Sequence, residues 1–322
     1  MKAAVLYQKD GAPQYVDFPE PVPQHENEVV VSVKAVALKH LDKGRANGNH
    51  YSSEPLKEGG RLIGGDGVCI LKDGTRVYAM GNGMLAEKAF IERETIVKLP
   101  SDIDDTVAAA LANAVIGSAM GMRFKADIKP GDVVLVNGAT GFTGRVAVQI
   151  AKHYGAKKVV ATGRNQKSLQ DLLALGADEI VYLNQSDEKI LTQLKEVHAN
   201  TPIDIIIDYL WGHIAEMIFA TLKGKGSFTH RTRFVSVGAM AGDLIQMSAS
   251  NLRSVDLQLT GSGLGNWSKE QVRKLFTKIL PEMFQLAADG KLKVETIKVK
   301  IEDIADLWNR DFTEGKRLVV TI

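Results

Sequence analysis

The spacing of apolar and polar positions changes character near residue 105. Before it, apolar stretches are short and extended. Val29-Val30-Val31-Ser32-Val33-Lys34-Ala35-Val36 reads as a strand, and Arg76–Met80 and Ala89–Ile91 read as shorter ones. Glycines and prolines cut these segments at intervals, the pattern of a small barrel-like β domain. From Thr106 an Ala-rich helical stretch runs toward Phe124, followed by the turn Lys129-Pro130-Gly131-Asp132. Strands and helices then alternate. Predicted strands cover 133–137, 158–162, 179–183, 203–209, 234–237 and 257–260. Predicted helices cover 144–154, 166–175, 188–199 and 214–222. Continuous apolar strands joined by helices predict a parallel sheet covered on both faces. Six of them make a doubly wound α/β sheet of the kind that binds dinucleotides. The tail offers a long amphipathic helix at 269–286, a strand at 296–301, a short helix at 302–308 and a closing strand at 317–322. It resembles the β-rich start, so the α/β part reads as an insertion.

The first α/β strand leads into Gly138-Ala139-Thr140-Gly141-Phe142-Thr143-Gly144 and then into a helix. Glycine permits a tight turn and lets backbone N–H groups approach a pyrophosphate, and the helix N-terminus faces it with its positive dipole end. The spacing is G-x-x-G-x-x-G rather than G-x-G-x-x-G. The position between a buried strand and a helix supports a cofactor turn over a plain βα turn. About 20 residues on, an NAD-binding sheet places an acid for the ribose hydroxyl. Here the chain reads Gly163-Arg164-Asn165-Gln166-Lys167, with no acid. A guanidinium at Arg164 suits a 2′-phosphate, and Lys167 adds a second positive charge, so NADP is expected over NAD. The alternative is a solvated Arg164. Gly238, Ala239, Gly261 and Ser262 follow later strands, where small residues give nicotinamide ribose room; each glycine also reads as an ordinary turn residue.

Composition narrows the class. Forty basic and 38 acidic residues among 322 leave a net charge of +2, too balanced to argue for nucleic acid or an anionic membrane. No signal peptide and no stretch near the ~20 apolar residues of a membrane span is evident, so a cytoplasmic protein is expected. The single cysteine, Cys69, excludes internal disulfides and a thiolate metal cluster, and reads as a small buried hydrophobe.

Lys129-Pro130-Gly131-Asp132 with Val133–Gly141, Ala147–Lys152 and Leu173–Asp178 resembles the zinc-free quinone oxidoreductase branch of the medium-chain dehydrogenase/reductase superfamily. The resemblance covers essentially the whole chain. It implies a GroES-like β-rich catalytic domain, residues 1–115 plus 265–322, with an inserted six-stranded Rossmann domain, residues 116–264. It also implies a cleft between them, a homodimer, and hydride transfer from NADPH to a small-molecule acceptor, a quinone or an α,β-unsaturated carbonyl. Zinc dehydrogenases of the superfamily carry ligands where this chain has Ala37–Asp42, Gly64–Gly67 and Leu111–Ala114. No Cys or His stands at the matching places, so no metal is expected, and His40 reads as structural or exposed. Without zinc, hydrogen-bond donors must meet the negative charge that develops on the acceptor oxygen. The resemblance points to residues 42–51, with Tyr51 and Arg45 as candidate catalytic donors. Tyr51 reads equally as an apolar wall. The segment departs from the family's Asn-Pro-x-Asp at Lys39-His40, so a nicotinamide-binding asparagine does not carry over. Three other readings stand beside this one. The first is a non-catalytic NADPH-binding regulatory or structural protein; the second is a zinc-free alcohol dehydrogenase-like reductase. The third is an atypical short-chain reductase, disfavoured because its turn opens the chain and because no suitable Tyr-x-x-x-Lys pair is present.

Overall fold

Along one strand, buried Val31, Val33 and Ala35 alternate with exposed Ser32 and Lys34, so a single face meets a core. This strand, Glu28–Ala37, organises the β-rich part of the computed structural model. The structure describes all residues except 24, 51, 54, 57, 224–228 and 311–314. Two units separate: Met1–Ala112 with Arg273–Ile322, and Asn113–Val272.

In the first unit, Glu28–Ala37 pairs antiparallel with Asp66–Ile70, Lys88–Glu92 and Arg317–Thr321. Arg76–Asn82 pairs with both Asp66–Ile70 and Lys88–Glu92 and so closes a ring of four strands. Thr296–Lys300 adds in parallel to Arg317–Thr321 at the sheet's edge. Lys2–Leu6, Gln14–Asp17 and Arg61–Leu62 form a separate small sheet. The core gathers Leu6, Val33, Leu85, Ile91, Ile304 and Trp308. Tyr78 packs on Phe284 with ring centroids 5.6 Å apart. The helix expected over 269–286 spans Lys269–Ala288 and widens to a π turn at Leu275–Ile279. That turn lies just before Pro281, whose ring clashes with the carbonyl of Thr277 and lacks an N–H for it.

Asp104 starts the helix at Asp105. Its Oδ1 accepts the N–H of Thr106 at 2.8 Å and the hydroxyl of Thr106 at 2.5 Å, and its Oδ2 accepts Lys298 Nζ at 3.0 Å. Partial burial works to raise this carboxyl, but those bonds outweigh it and bring the pKa down to about 2. A depressed carboxyl stabilises the fold above its unfolded value, and that stability is lost as pH falls through about 2. Asp104→Ala is expected to cost ~1 kcal/mol at neutral pH, the capping contribution with the exposed ion pair adding little. Urea denaturation should show the difference shrinking between about pH 4 and pH 2.

The helix from Asp105 runs as α to Val115 and as π-helix over Ile116–Lys125. By length and composition this 21-residue stretch is apolar enough to cross a bilayer, contrary to the sequence expectation. Yet 67% of its most apolar window is buried in the protein, as in a core helix.

The second unit carries six strands: β1 (Val133–Asn137), β2 (Lys158–Gly163), β3 (Glu179–Tyr182), β4 (Ile205–Asp208), β5 (Thr232–Ser236) and β6 (Leu257–Gly261). All pairings are parallel, in the order β3-β2-β1-β4-β5-β6. Order reverses at β1, the switch point where such sheets bind ligands outside the carboxyl ends of the strands. β1 and β4 are buried at every position, as strands covered on both faces must be. Ile206, Phe219, Phe234 and Val197 share the core beside Leu135 and Val160. Boundaries shift from the sequence reading by at most two residues; the helix after β1, α1, starts at Phe142 rather than Gly144 because the turn itself is already helical there.

Candidate functional site

β1 delivers the chain to Gly138, which turns it at φ +85°, a value that favours glycine. The N–H of Ala139 then donates to Thr162 O on β2 at 2.8 Å, fixing the turn against the neighbouring strand. α1 (Phe142–His153) begins behind Gly141, which has no side chain to cap the first turn. Gly144, inside α1, lies so close to the turn that a Cβ would fall 2.5 Å from Gly138 O and 2.6 Å from Ala139 Cα. A Cβ on Gly163 would meet Thr140 Cγ2, so the ends of β1 and β2 pass each other tightly. At exposed Gly141, by contrast, the nearest atom to a Cβ would be 3.9 Å away. A dinucleotide's pyrophosphate fits here: a shallow backbone cradle, open at Gly141, faces the positive end of α1.

Beneath the turn lies a polar floor that sequence reasoning missed. The N–H of Gly138 donates to Thr162 Oγ1 at 3.1 Å, Thr162 Oγ1 donates to Asn137 Oδ1 at 2.6 Å, and Asn137 Nδ2 donates to Asp208 Oδ1 at 2.7 Å. Asn137, Thr162 and Asp208 are fully buried. Burial raises the Asp208 carboxyl, against the hydrogen bonds from Asn137, Leu210 and Trp211 that lower it. Asp208 Oδ2 accepts the N–H of Trp211 at 3.0 Å, holding that residue at φ +55°, a strained position for a bulky side chain. Tyr209 donates its hydroxyl to Gly117 O at 2.9 Å, and burial raises this phenol far above its ordinary value.

Arg164, Asn165 and Lys167 are exposed just past β2. Asn165 is committed to the following helix, where its Oδ1 accepts the N–H of Ser168 at 2.9 Å. Among the described residues Arg164 and Lys167 have no ion-pair partner, and no acid lies between Gly163 and Lys167. Gly238 and Ala239 follow β5; a Cβ on Gly238 would lie 3.0 Å from Tyr209 O at the end of β4. Gly261 and Ser262 end β6, three strands from β1 and so about 14 Å across the sheet.

In the first unit, Arg45 lies on the helix His40–Ala46. Its Nε donates to Ser52 Oγ at 2.9 Å. Ser52 Oγ is 2.7 Å from His50 Nδ1, and the N–H of Ser52 donates to the same nitrogen at 3.1 Å. Nδ1 therefore accepts, which puts the ring proton on Nε2. Burial, helped by the Arg45 charge, lowers the His50 pKa. Tyr51 lies outside the described residues. His40 is exposed at the first position of its helix. Cys69 is buried, and its thiol is pushed up to about 12 by burial and then by the Asp66 charge, which leaves it unreactive.

A family model described as zinc-binding dehydrogenase matches residues 143–280. The chain is 28% identical over 223 residues to a quinone oxidoreductase of Sus scrofa, covering 65% of this chain and 67% of that protein. It is 26% identical over 268 residues to the quinone oxidoreductase of Homo sapiens, covering 80% and 78%. The quinone oxidoreductase of Escherichia coli complexed with NADPH shares its fold, with a TM-score of 0.82 over 100% of both chains at 23% identity. Among the described residues, no three His, Cys, Asp or Glu side chains are grouped to hold a metal ion. The buried ammonium of Lys39 stands 2.5 Å from Asp66 Oδ1. A six-stranded parallel sheet in the 3-2-1-4-5-6 order, the β-rich unit beside it in the chain, and these relatives agree: the chain is similar to the quinone oxidoreductases of the medium-chain dehydrogenase/reductase superfamily.

Proposed function

We propose that this chain is an NADPH-dependent reductase that passes a hydride to a quinone or an α,β-unsaturated carbonyl without a metal ion. The observation that carries the reading is the open turn Gly138–Gly144 at the switch point, followed past β2 by exposed Arg164 and Lys167 and no acid. Relatives named as quinone oxidoreductases, one solved with NADPH, support it. When bound, NADPH supplies the hydride from C4 of its nicotinamide. The chain's own residues do the rest. Backbone N–H groups of the turn and the N-terminus of α1 hold the pyrophosphate. Arg164 and Lys167 receive the 2′-phosphate, with Gly163 and Asn165 shaping that corner. Gly238, Ala239, Gly261 and Ser262 give the nicotinamide half room along the strand ends. Arg45 and Tyr51 are the proposed donors to the acceptor oxygen, and His50 with Ser52 holds the Arg45 guanidinium in place.

Titration of the protein with NADPH and NADH, followed by nicotinamide fluorescence, tests the cofactor. Addition of 1,4-benzoquinone or an enone to the NADPH complex tests the reaction. NADPH binding much tighter than NADH, with oxidation on adding acceptor, is the expected result. Binding without oxidation by any acceptor would move the reading to a non-catalytic NADPH protein. Absence of binding by either nucleotide would refute it.

A further inference from the structure

Lys39 precedes the helix His40–Ala46, and its side chain is 2% exposed. A lysine is almost never found so deep without opposite charge around it. Its Nζ lies 2.5 Å from Asp66 Oδ1, 3.4 Å from Asp42 Oδ2 and 3.2 Å from Ala37 O. Both carboxylates are otherwise engaged. Asp66 Oδ2 accepts the hydroxyl of fully buried Tyr78 at 3.0 Å, and Asp42 Oδ2 accepts the backbone N–H of Lys39 at 3.0 Å. Arg317, 9% exposed, donates to Leu38 O at 3.3 Å and feels the charge of both acids. Two buried cations thus face two buried anions. Burial alone would lower the Lys39 pKa, but Asp42 and Asp66 outweigh it, so the ammonium stays charged.

Three oxygens, two from carboxylates and one from the main chain, converge on one positive nitrogen. The same donor set holds hard divalent cations. We propose that the Lys39 ammonium is a resident cation that fills an oxygen cage in the first unit, neutralises Asp42 and Asp66, and closes the cage to divalent metal ions. Lys39 plays this part whether or not the chain reduces quinones. It gives the unit a fixed positive charge that no chelator removes.

Thermal melts of the native protein, Lys39→Met and Lys39→Met/Asp66→Asn test the charge balance. Lys39→Met leaves one buried cation, Arg317, against two carboxylates, and its melting temperature is expected to fall by roughly 6–15 °C. Adding Asp66→Asn restores one cation to one anion and is expected to recover most of that loss. If Lys39→Met yields no folded protein, recovery of folded protein by the added Asp66→Asn supports the charge balance equally. A titration with manganese chloride, read from the EPR signal of free Mn2+, tests the cage. The native protein is expected to show no site that Asp66→Asn abolishes. Lys39→Ala is expected to gain one saturable site that Lys39→Ala/Asp66→Asn lacks; if Lys39→Ala does not fold, the melts decide. Four results would each overturn the proposal. They are native-like melting of Lys39→Met, a double variant no better than the single, a native manganese site lost with Asp66, and no new site in folded Lys39→Ala.

Discussion

Gly144→Ala is expected to abolish NADPH binding and to lower the melting temperature. The reason is steric and local. A methyl group there would fall 2.5 Å from Gly138 O, 2.6 Å from Ala139 Cα and 2.8 Å from Ala139 C. All three are backbone atoms, so no side-chain rotation relieves the clash. Either α1 slides away from β1 or the turn opens, and both break the bond between the N–H of Ala139 and Thr162 O. Overpacking of this kind costs about 3 kcal/mol or more when the neighbours are rigid. Gly141→Ala is the informative control. Its methyl would have no atom within 3.9 Å, so the melting temperature should hold, while the methyl occupies the cradle meant for phosphate. Loss of NADPH affinity in both variants, with loss of stability only in Gly144→Ala, is the expected pattern. Unchanged NADPH affinity in Gly141→Ala would place the phosphates elsewhere.

Arg164→Ala is expected to erase the preference for NADPH while leaving NADH binding and the melting temperature as they were. Arg164 is exposed and has no ion-pair partner among the described residues, so the fold does not rely on it. A hydrogen bond to a charged group contributes about 1.5–3 kcal/mol. That corresponds to roughly a 10- to 150-fold weaker NADPH complex. Lys167→Ala should do less, since an exposed ammonium meets a phosphate as a hydrated point charge rather than as a fork. Raising the salt should narrow the gap between native protein and Arg164→Ala, because the contact is solvent-exposed. A variant that kept the native ratio of NADPH to NADH affinity would remove Arg164 from the 2′-phosphate.

The second unit was largely legible in the sequence because its signals are local. Val133–Val136 is one apolar run, and the glycines behind it constrain only their immediate neighbours. The polar floor was not legible. Thr162 meets Asn137 from 25 residues away and Asn137 meets Asp208 from 71, and nothing near any of the three marks it as buried. Lys39 was hidden in the same way: between Leu38 and His40 it reads as a surface lysine, and only the sheet brings Asp66 to its ammonium. The strands Lys2–Leu6, Gln14–Asp17 and Asp66–Ile70 escaped notice because they are short and begin or end on polar residues. The passage from α to π helix at Ile116 also left no trace, since no proline or charged residue interrupts Thr106–Met122. In the candidate donor segment 42–51, residue types suggested donors, but the Arg45–Ser52–His50 contacts depend on how the chain doubles back after the helix.

The pairing of Arg317–Thr321 with Glu28–Ala37 has a consequence for biosynthesis. A ribosome releases Glu28–Ala37 well before its neighbour, with the whole contiguous unit Asn113–Val272 made in between. Domains fold as they emerge. The nucleotide-binding sheet can therefore be complete while the β-rich unit still waits for its final strand. During that interval the Ala35–Ala37 end of that strand keeps one edge open, a template for pairing with another nascent chain. Truncation before Arg317 makes the interval permanent, so such fragments are the ones that chaperones and proteases must meet.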